Sequence, residues 1–357
     1  MSDLATTLCG MTLRSPLVLA SGPLSFDGDA LVRAHRAGAG AVVTKTIRRD
    51  AASNPVPHIA RVSGGLLNAE RWSDLPAERW IEREIPRARA AGATVIASVG
   101  LARDDVHALA KPLVEAGACA LEIVSYDGGA VPAMVEEACA RVSVPVFAKL
   151  SANESNVIQV ARACLASGAA AITAIDSVGP ALRFDLDTRQ PRLGGYGWLS
   201  GRPILPTALR VVADVARATG CVIVGTGGVE TADDVIEMLY AGAHAVGLCT
   251  APLLRGVSLF GDLARDLLPR LSALGFGSPD EAIGAGLAGL AEGQMPEGGW
   301  RFVRACRTCT DCGVCVHVCP YRARRSPEEV VEAECRGCGL CAASCPTGAL
   351  ALLREAR

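Results

Sequence analysis

Aromatic and charged side chains are scarce in this sequence of 357 residues. Only 4% of the residues are aromatic and 20% are charged, and the formal net charge is −2. A chain without a surplus of positive charge has no electrostatic reason to bind nucleic acid or an anionic membrane surface. The N-terminus also lacks a charged region followed by an apolar run, so we expect no signal peptide.

Long hydrophobic runs are missing as well. The segment from Met238 to Leu254 carries no formal charge, but it contains His244 and Pro252 and is shorter than the ~20 residues that span a bilayer. Half of all residues are nevertheless hydrophobic, which is enough for a chain of this length to bury a core. We therefore predict a soluble, cytoplasmic protein.

Cysteine, by contrast, is abundant, with 15 residues. Nine of them lie between Cys306 and Cys345, and no export signal accompanies them. Disulfides are typical of secreted proteins, whereas clustered cysteines in a cytoplasmic protein indicate bound metal. The remaining six are scattered through apolar segments, where we expect them to pack as small hydrophobic residues; they are Cys9, Cys119, Cys139, Cys164, Cys221 and Cys249.

Most of the chain repeats one short pattern, in which a helical segment ends at a glycine and an apolar run follows. Examples are AGAGAVVT at 37–44, AGATVIAS at 91–98 and AGAHAVGLC at 241–249. A glycine that closes a helix just before a buried strand is typical of parallel α/β folds. Eight strands are predicted in this way, at Pro16–Gly22, Ala41–Ile47, Thr94–Gly100, Ala120–Ser125, Pro145–Leu150, Ala170–Asp176, Cys221–Gly227 and Ala245–Ala251.

Eight strand–helix units within about 270 residues predict a closed (β/α)8 barrel, which we assign to residues 1–275. The alternative is an open, doubly wound sheet, but the usual dinucleotide-binding fingerprint G-x-G-x-x-G does not follow the first strand. A glycine-rich connector is predicted at 276–300, and the cysteine-rich domain then occupies 301–357.

Polar residues follow the predicted strands, at the end of the barrel where active sites of this fold lie. Lys45 and Lys149 end separate strands and would point into one mouth, where a buried ammonium needs an anion beside it. Gly227 and Gly228 separate the seventh strand from a helix, an arrangement of backbone amides and helix N-terminus that binds phosphate. These features predict a site for a phosphate-bearing ligand.

Several motifs occur in the order found in the barrels of dihydroorotate dehydrogenases and dihydropyrimidine dehydrogenases, which the chain resembles over residues 1–275. They are ASGP (20–23), TKT (44–46), NPVP (54–57), GGLLN (64–68), AKL (148–150), SGRPILPTALR (200–210), and GTGGVET with GLCTA within 225–251. The resemblance implies bound FMN, with Lys149 near the flavin pyrimidine ring, where a cation stabilises the anionic reduced form. Carried over by position, the cofactor-binding residues would be Ala20, Ser21, Gly22, Lys45, Thr46, Asn68, Lys149, Ser177, Ser200, Gly201, Gly227, Gly228, Thr250 and Ala251.

The chain departs from the family pattern after its fourth and sixth strands. The family's fourth loop carries an Asn-x-Ser-Cys-Pro type of motif with a Cys or Ser as acid or base, whereas this chain reads LEIVSYDGGAVP at 121–132. A tyrosine there, with an ordinary pKa of about 10, suits proton donation better than abstraction. After the sixth strand an aspartate replaces the family's asparagine, and its charge would repel the carboxylate of orotate, so dihydroorotate is not the expected substrate. The predicted catalytic residues are Ser125, Tyr126, Asp127, Lys149 and Asp176.

The C-terminal cysteines form two copies of the pattern C-x2-C-x2-C-x3-C-P. In bacterial two-cluster ferredoxins, the fourth cysteine of each run ligates the other cluster. Paired zinc sites are the alternative, but two identical four-cysteine runs favour [4Fe–4S] clusters in a small α+β domain of the ferredoxin type. Cys306 falls outside this register and is not expected to be a ligand. Cluster one is assigned to Cys309, Cys312, Cys315 and Cys345, and cluster two to Cys335, Cys338, Cys341 and Cys319.

Together these features predict an FMN- and iron–sulfur-dependent oxidoreductase that reduces or forms a C=C or C=N bond of a small cyclic substrate, similar to dihydropyrimidine dehydrogenase. No second dinucleotide-binding domain is evident, so the external electron partner would be a ferredoxin or a subunit that binds FAD and NAD(P)H. Related barrels dimerise, and a homodimer or a hetero-oligomer is expected. The alternative is an electron-transfer subunit of a larger redox complex with no organic substrate of its own, which the missing acid–base cysteine favours.

Overall fold

The structure is a computed structural model that describes residues 4–290, 300–304 and 308–354. It divides into two compact units, Met1–Leu290 and Ala291–Arg357. The first unit extends beyond the predicted boundary at residue 275, because Phe276, Ile283 and Leu287 pack against the core of the barrel. The first part of the predicted connector is therefore part of the barrel unit, and residues 291–299 lie outside the described residues, as does Cys306.

Strands and helices alternate along the first unit, as the repeats predict. In chain order the strands are β1 (Thr6–Leu8), β2 (Met11–Leu13), β3 (Leu17–Leu19), β4 (Ala41–Val43), β5 (Ile59–Val62), β6 (Gly65–Asn68), β7 (Val95–Gly100), β8 (Ala120–Val124), β9 (Val146–Leu150), β10 (Ala171–Ala174), β11 (Val178–Ala181), β12 (Gly197–Gly201), β13 (Val222–Thr226), β14 (Ala245–Leu248), β15 (Trp300–Arg304) and β16 (Leu350–Arg354).

The helices lie between these strands. They are α1 (Gly28–Ala37), α2 (Ala77–Arg79), α3 (Ile85–Ala90), α4 (Arg103–Glu115), α5 (Val131–Cys139), α6 (Val157–Ala166), α7 (Leu205–Thr219), α8 (Ala232–Tyr240), α9 (Thr250–Arg255), α10 (Leu259–Ala273), α11 (Pro279–Ala282), α12 (Val314–His317) and α13 (Leu340–Ala343). A π-helical turn, Trp80–Glu84, joins α2 to α3. Among the described residues, no helix is both long enough and apolar enough to cross a membrane.

All eight predicted barrel strands form, and they close into a barrel. The neighbours follow the chain order β3, β4, β7, β8, β9, β10, β13 and β14, and β14 pairs in parallel with β3. The open sheet, which was the alternative, is excluded by this closure. The glycines predicted to end helices have positive φ, for example 113° at Gly117 and 102° at Gly242, a conformation that residues with a Cβ rarely adopt.

Apolar side chains fill the N-terminal end of the barrel. Ile96, Phe147 and Val224 belong to one buried cluster with Leu8 and Leu13. Since the last two come from the β1–β2 hairpin, this hairpin covers the barrel end opposite the active-site face. The arrangement leaves the C-terminal strand ends as the face that is free to bind ligands.

A four-stranded antiparallel sheet, in the order β11, β12, β6, β5, stands at the C-terminal end of the barrel. Its two halves are insertions that follow the barrel strands β4 and β10, and loops after strands lie at this end. The register aligns Trp198 with Asn68 and Ser200 with Leu66. Two segments that are far apart in sequence thus form one rim of the mouth.

The second unit is small, and its two cysteine runs share one feature, a short helix that contains the third cysteine. β15 and β16 pair antiparallel, and α12 and α13 each contain the third cysteine of one run, Cys315 or Cys341. These two cysteines and Leu350 form a small buried cluster. The arrangement agrees with the α+β domain that the two motif copies predict.

The barrel interior generates a stability prediction. Phe147 is 1% exposed, so Phe147→Ala leaves a cavity and should lower the free energy of unfolding by about 3–5 kcal/mol. Urea titration monitored by tryptophan fluorescence measures this change. Leu186→Ala is the control, because Leu186 is 88% exposed and its loss should change stability by less than about 0.5 kcal/mol. Equal effects of the two substitutions would contradict the assignment of Phe147 to the core.

Candidate active site and cluster sites

Two adjoining cavities open at the C-terminal end of the barrel. The first contains about 680 Å³ of empty space and the second about 590 Å³, part of each open to solvent. We call them the first and second cavity. Their common wall consists of Ser21, Gly22, Asn68, Lys149, Asp176 and Ser177. A ligand in the first cavity would therefore lie next to a ligand in the second, with Lys149 and Asp176 facing both.

The predicted cofactor-binding residues all line these cavities. Lys45 and Thr46 line the second cavity. The others line the first, namely Ala20, Ser21, Gly22, Asn68, Lys149, Ser177, Ser200, Gly201, Gly227, Gly228, Thr250 and Ala251. They come from six different strand ends and from the antiparallel sheet, so only the closed barrel brings them together.

The end of the first cavity near β13 and β14 has the form of a phosphate cradle. Gly228 has a φ of +78°, and a Cβ there would lie 2.8 Å from the carbonyl oxygen of Gly201. The hydroxyl of Thr226 is buried and has no hydrogen-bond partner among the described residues. Nearby, the Thr250 hydroxyl donates to the Ser200 hydroxyl at 2.8 Å. Glycine backbone that a phosphate can approach closely, together with a hydroxyl that still lacks a hydrogen-bond partner, fits the phosphate group of a ligand.

Each of the two buried lysines is paired with a carboxylate of the chain. The Nζ of Lys149 lies 3.3 Å from Oδ1 of Asp176, and Lys45 forms an ion pair with Glu70. Burial by itself would lower the pKa of Lys149, but the carboxylates of Asp176 and Glu122 raise it overall. The raised pKa keeps the ammonium of Lys149 charged at neutral pH.

A buried polar layer lies among the strands below the lysines. Glu122 on β8 is 3% exposed and accepts a hydrogen bond from the Thr173 hydroxyl at 3.0 Å. The hydroxyls of Thr46 and Ser98 are 3.1 Å apart. Burial raises the pKa of Glu122, which favours its neutral form. This layer of buried polar groups replaces the apolar packing of the opposite barrel end.

Aromatic side chains form the outer wall of the second cavity. The rings of Tyr126 and Trp198 stack with centroids 5.6 Å apart and planes inclined by 18°. Trp72 also lines the cavity, and the guanidinium carbon of Arg48 lies 4.5 Å from its ring centroid. Tyr126 is 55% exposed, but desolvation of its inner part, followed by the charge of Asp176, raises its pKa, so the phenol keeps its proton at neutral pH. These flat walls suit a planar ring.

Two of the predicted catalytic residues do not line either cavity. The Ser125 hydroxyl donates to the Leu101 carbonyl at 3.2 Å and accepts from the amide of Asp127. The carboxylate of Asp127 accepts from the amide of Gly129 at 3.0 Å. Both side chains thus stabilise the turn after β8, and Tyr126 is the residue of this loop that faces the second cavity.

Several lining residues were missed by the sequence analysis. Glu70, Arg71 and Trp72 lie two to four residues after the GGLLN motif, and Trp198 lies two residues before the SGRP motif, so extending these motifs would have included them. Cys249 lies within GLCTA, and its Sγ would be 2.5 Å from a Cβ on Gly22. Glu122, which lines neither cavity but lies in the buried polar layer, was also missed, because no local signal in an apolar strand indicates which face a residue occupies.

The cysteines of the second unit are brought together in the crossed arrangement. One small pocket is lined by Cys309, Cys312, Cys315 and Cys345. The other is lined by Cys319, Cys335, Cys338 and Cys341. Across the described ranges, no three His, Cys, Asp or Glu side chains converge tightly enough to hold a single metal ion. Four sulfurs spread around a pocket suit a cluster of several atoms better than one zinc ion.

Hydrogen bonds around the fourth cysteines favour thiolates. The side chain and then the amide of Thr347 lower the pKa of Cys345 to about 7. The amide of Arg324 lowers the pKa of Cys319. Thiolates are the form in which cysteine binds iron.

The barrel, its phosphate cradle and the paired cysteine quartets define a class of protein, a flavin-dependent oxidoreductase with a ferredoxin-like unit. Comparison with known sequences agrees. The family profile described as dihydroorotate dehydrogenase matches residues 3–271, and profiles described as 4Fe-4S binding domains match residues 307–322 and 328–351. The chain belongs to the dihydroorotate dehydrogenase family, whose members bind FMN and act on CH–CH bonds.

Among similar proteins are two archaeal catalytic subunits of dihydroorotate dehydrogenase B (NAD(+)). The one from Methanothermobacter thermautotrophicus is 33% identical over 303 residues, covering 79% of this chain and 97% of the relative. The one from Thermoplasma acidophilum is 35% identical over 305 residues, covering 80% of this chain and 100% of the relative. Nearly the whole of each relative is matched, while about a fifth of this chain extends beyond the match.

The phosphate cradle generates a prediction for FMN affinity. Gly228→Ala places a Cβ 2.8 Å from both the Gly201 carbonyl and the Leu205 amide at positive φ. We expect FMN affinity to fall at least about tenfold, which corresponds to about 1.4 kcal/mol. FMN binding to the apoprotein, followed by fluorescence quenching, measures the effect. Gly195→Ala is the control, since a Cβ there would meet nothing within 4 Å, and a similar loss in that variant would contradict the assignment.

The crossed quartets generate a second prediction. Cys345→Ala should remove cluster one and lower the iron content from about eight to about four per chain, because a [4Fe–4S] cluster needs four thiolates. Adding Cys309→Ala should cost no further iron, since both residues line the same pocket. Adding Cys335→Ala instead should remove the second cluster as well. Iron analysis with electron paramagnetic resonance of the reduced protein distinguishes the two double variants, and the reverse pattern would indicate uncrossed ligation.

Proposed function

We propose that this protein reduces or forms a C=C or C=N bond of a small planar ring, in the manner of a dihydropyrimidine dehydrogenase, and exchanges electrons with an external partner through two [4Fe–4S] clusters. The observation that carries the proposal is the second cavity. It shares Lys149 and Asp176 with the cavity that fits FMN, and stacked aromatic rings line its other side. Such a slot suits a flat substrate held against the flavin.

Different residues at the two cavities would bind the cofactor, orient the substrate and supply a proton. When bound, FMN exchanges a hydride with a substrate carbon and single electrons with iron–sulfur clusters. The cradle at Gly227 and Gly228 holds the phosphate, and Lys149 presents a positive charge at the wall between the two cavities. Trp198 orients the substrate ring by stacking. Saturation of one C=C bond takes up two electrons and two protons, and Tyr126 delivers one of these protons to a substrate carbon.

The charges of the second cavity favour a substrate ring without a carboxylate. Lys45 and Lys149 are already paired with Glu70 and Asp176, so the positive charge that either ammonium offers to a substrate anion is largely offset. Arg71 also lines the cavity, but it is exposed at the rim. A neutral or protonated ring nitrogen would find acceptors in the two carboxylates. The relatives are named for dihydroorotate, which carries a carboxylate, so a comparison of orotate with uracil tests this inference directly.

The electron partner is proposed to be a separate protein. The relatives are named as catalytic subunits of NAD(+)-linked enzymes, which supports a partner that handles the nicotinamide cofactor. The cysteine-rich extension of this chain would accept electrons from such a subunit, or from a free ferredoxin, one at a time. Two oxygen-sensitive clusters and unpaired cysteines suit the reducing cytoplasm.

Anaerobic purification followed by titration tests the proposal. We expect about one FMN and about eight irons per chain. We also expect either that dihydrouracil or dihydrothymine bleaches the oxidised flavin, or that uracil or thymine reoxidises the reduced flavin. Orotate and dihydroorotate are tested alongside them as the compounds that carry a carboxylate. Response only to the orotate pair would reject the substrate class and keep the enzyme. If no organic compound changes the flavin spectrum while reduced ferredoxin does, the chain is an electron-transfer subunit.

Tyr126→Phe tests the proton donor. The reductive turnover number should fall by about 10²–10⁴-fold because a general acid is lost, while ring stacking and the Michaelis constant are retained. Because the pKa of Tyr126 is raised, the phenol is protonated below it, and wild-type activity should be flat through neutral pH and fall only above about pH 10. Ser125→Ala is the control and should keep this alkaline limb. An unchanged rate in Tyr126→Phe would rule out the role.

A further inference from the structure

Both buried lysines at the cavities have their charge matched by a carboxylate that the chain itself supplies. The side chains of Lys45 and Glu70 are only 5% and 9% exposed. Lys149 is 7% exposed, and Asp176, 3.3 Å from its ammonium, is 35% exposed. Asp176 stands where the resembling barrels have asparagine, and Glu70 comes from the loop that follows β6. These carboxylates therefore change the charge around the cavities from two cations to two ion pairs.

The change matters because of what a bound flavin does with charge. A reduced flavin carries added negative charge, and an unpaired ammonium beside it stabilises that charge strongly where water is excluded. A carboxylate in contact with the same ammonium cancels most of its field at the flavin, and adds a repulsion of its own. Asp176 lines both cavities, so its charge acts on the first cavity directly. Lys45 and Glu70 line only the second cavity, so their charges act on the first across the common wall.

The carboxylate of Glu122 also interacts with Lys149, after that of Asp176, but it does not face a bound ligand. It lies in the buried layer and accepts a hydrogen bond from Thr173, and it is not among the residues that line either cavity. Burial also favours its neutral form. Glu70 and Asp176 are thus the carboxylates that face the cavities next to the lysines. A third, Glu230, lines the first cavity near the phosphate cradle.

We propose that Asp176 and Glu70 are positioning residues that hold Lys149 and Lys45 in ion pairs and thereby lower the reduction potential of FMN in the first cavity. A flavin with a lowered potential gives up its electrons readily, so the site is biased toward reducing its substrate with electrons that an external donor delivers. This inference rests on FMN occupying the first cavity, and it does not depend on which ring the second cavity accepts.

Redox titration of the full-length holoprotein tests the inference. Asp176→Asn and Glu70→Gln each remove one charge and keep the shape of the side chain. In an anaerobic titration against reference dyes, the ratio of reduced to oxidised flavin at a fixed potential should be at least about tenfold higher in each variant than in the wild type. This change corresponds to a positive shift of the flavin potential by about 30 mV for a two-electron couple. The double variant should shift further. Paramagnetic resonance of the reduced clusters in the same samples separates cluster reduction from flavin bleaching.

Three comparisons make the outcome decisive. Asp127→Asn removes the same charge from a residue that lines neither cavity, and it should leave the flavin potential unchanged. Asp176→Glu keeps the charge and should stay close to the wild type. FMN content is measured first in every variant.

An unchanged or lowered potential in Asp176→Asn and Glu70→Gln would overturn the proposal. Failure of both variants to retain FMN would also overturn it, because it would show that the carboxylates are needed to form the cavity. A substrate test that fails while the potentials shift would reject only the proposed substrate.

Discussion

The pairing of β14 with β3 is the interaction on which the rest of the first unit depends, because it turns a row of parallel strands into a closed barrel. A closed parallel barrel ends all of its strands at one rim. Ser21, Lys149 and Thr250 are far apart along the chain, and each lies at or just after the C-terminal end of its own buried strand. Closure places all three on the wall of one cavity, next to glycines that leave room for a phosphate.

The rim also has to accommodate two buried ammonium groups. Burying an unpaired cation costs far more than any single contact gains, so each lysine requires a counter-charge within reach. Glu70 and Asp176 provide it, from an inserted loop and from a strand end. The same requirement links stability to the proposed function, because the carboxylates that compensate the buried lysines would also set the charge next to a bound flavin.

The second unit obeys a different constraint. It has few large apolar residues in its described core, where Cys315, Cys341 and Leu350 meet. Its two quartets each combine three cysteines of one run with the last cysteine of the other. Each cluster would therefore link both cysteine runs, and this ligation would stabilise the second unit as the hydrophobic core stabilises the barrel. About a fifth of this chain lies outside the match to each of these relatives, and the profiles of 4Fe-4S binding domains match within this second unit.

The sequence by itself determined the barrel, its eight strands and the cysteine quartets, because these depend on local periodicity, on glycines at helix ends and on fixed spacings. It also identified Lys45, Lys149, Gly227 and Gly228, since each follows a strand that could be recognised. Only the tertiary structure decided which of Ser125, Tyr126 and Asp127 faces the cavity, because neighbouring residues in a turn differ in orientation, not in pattern. Likewise only the folded chain reveals Glu70 beside Lys45, Trp198 beside Tyr126 and Glu122 beside Thr173. Those contacts join segments that are distant in sequence, and their register is set by barrel closure and by the inserted sheet, which no local pattern specifies.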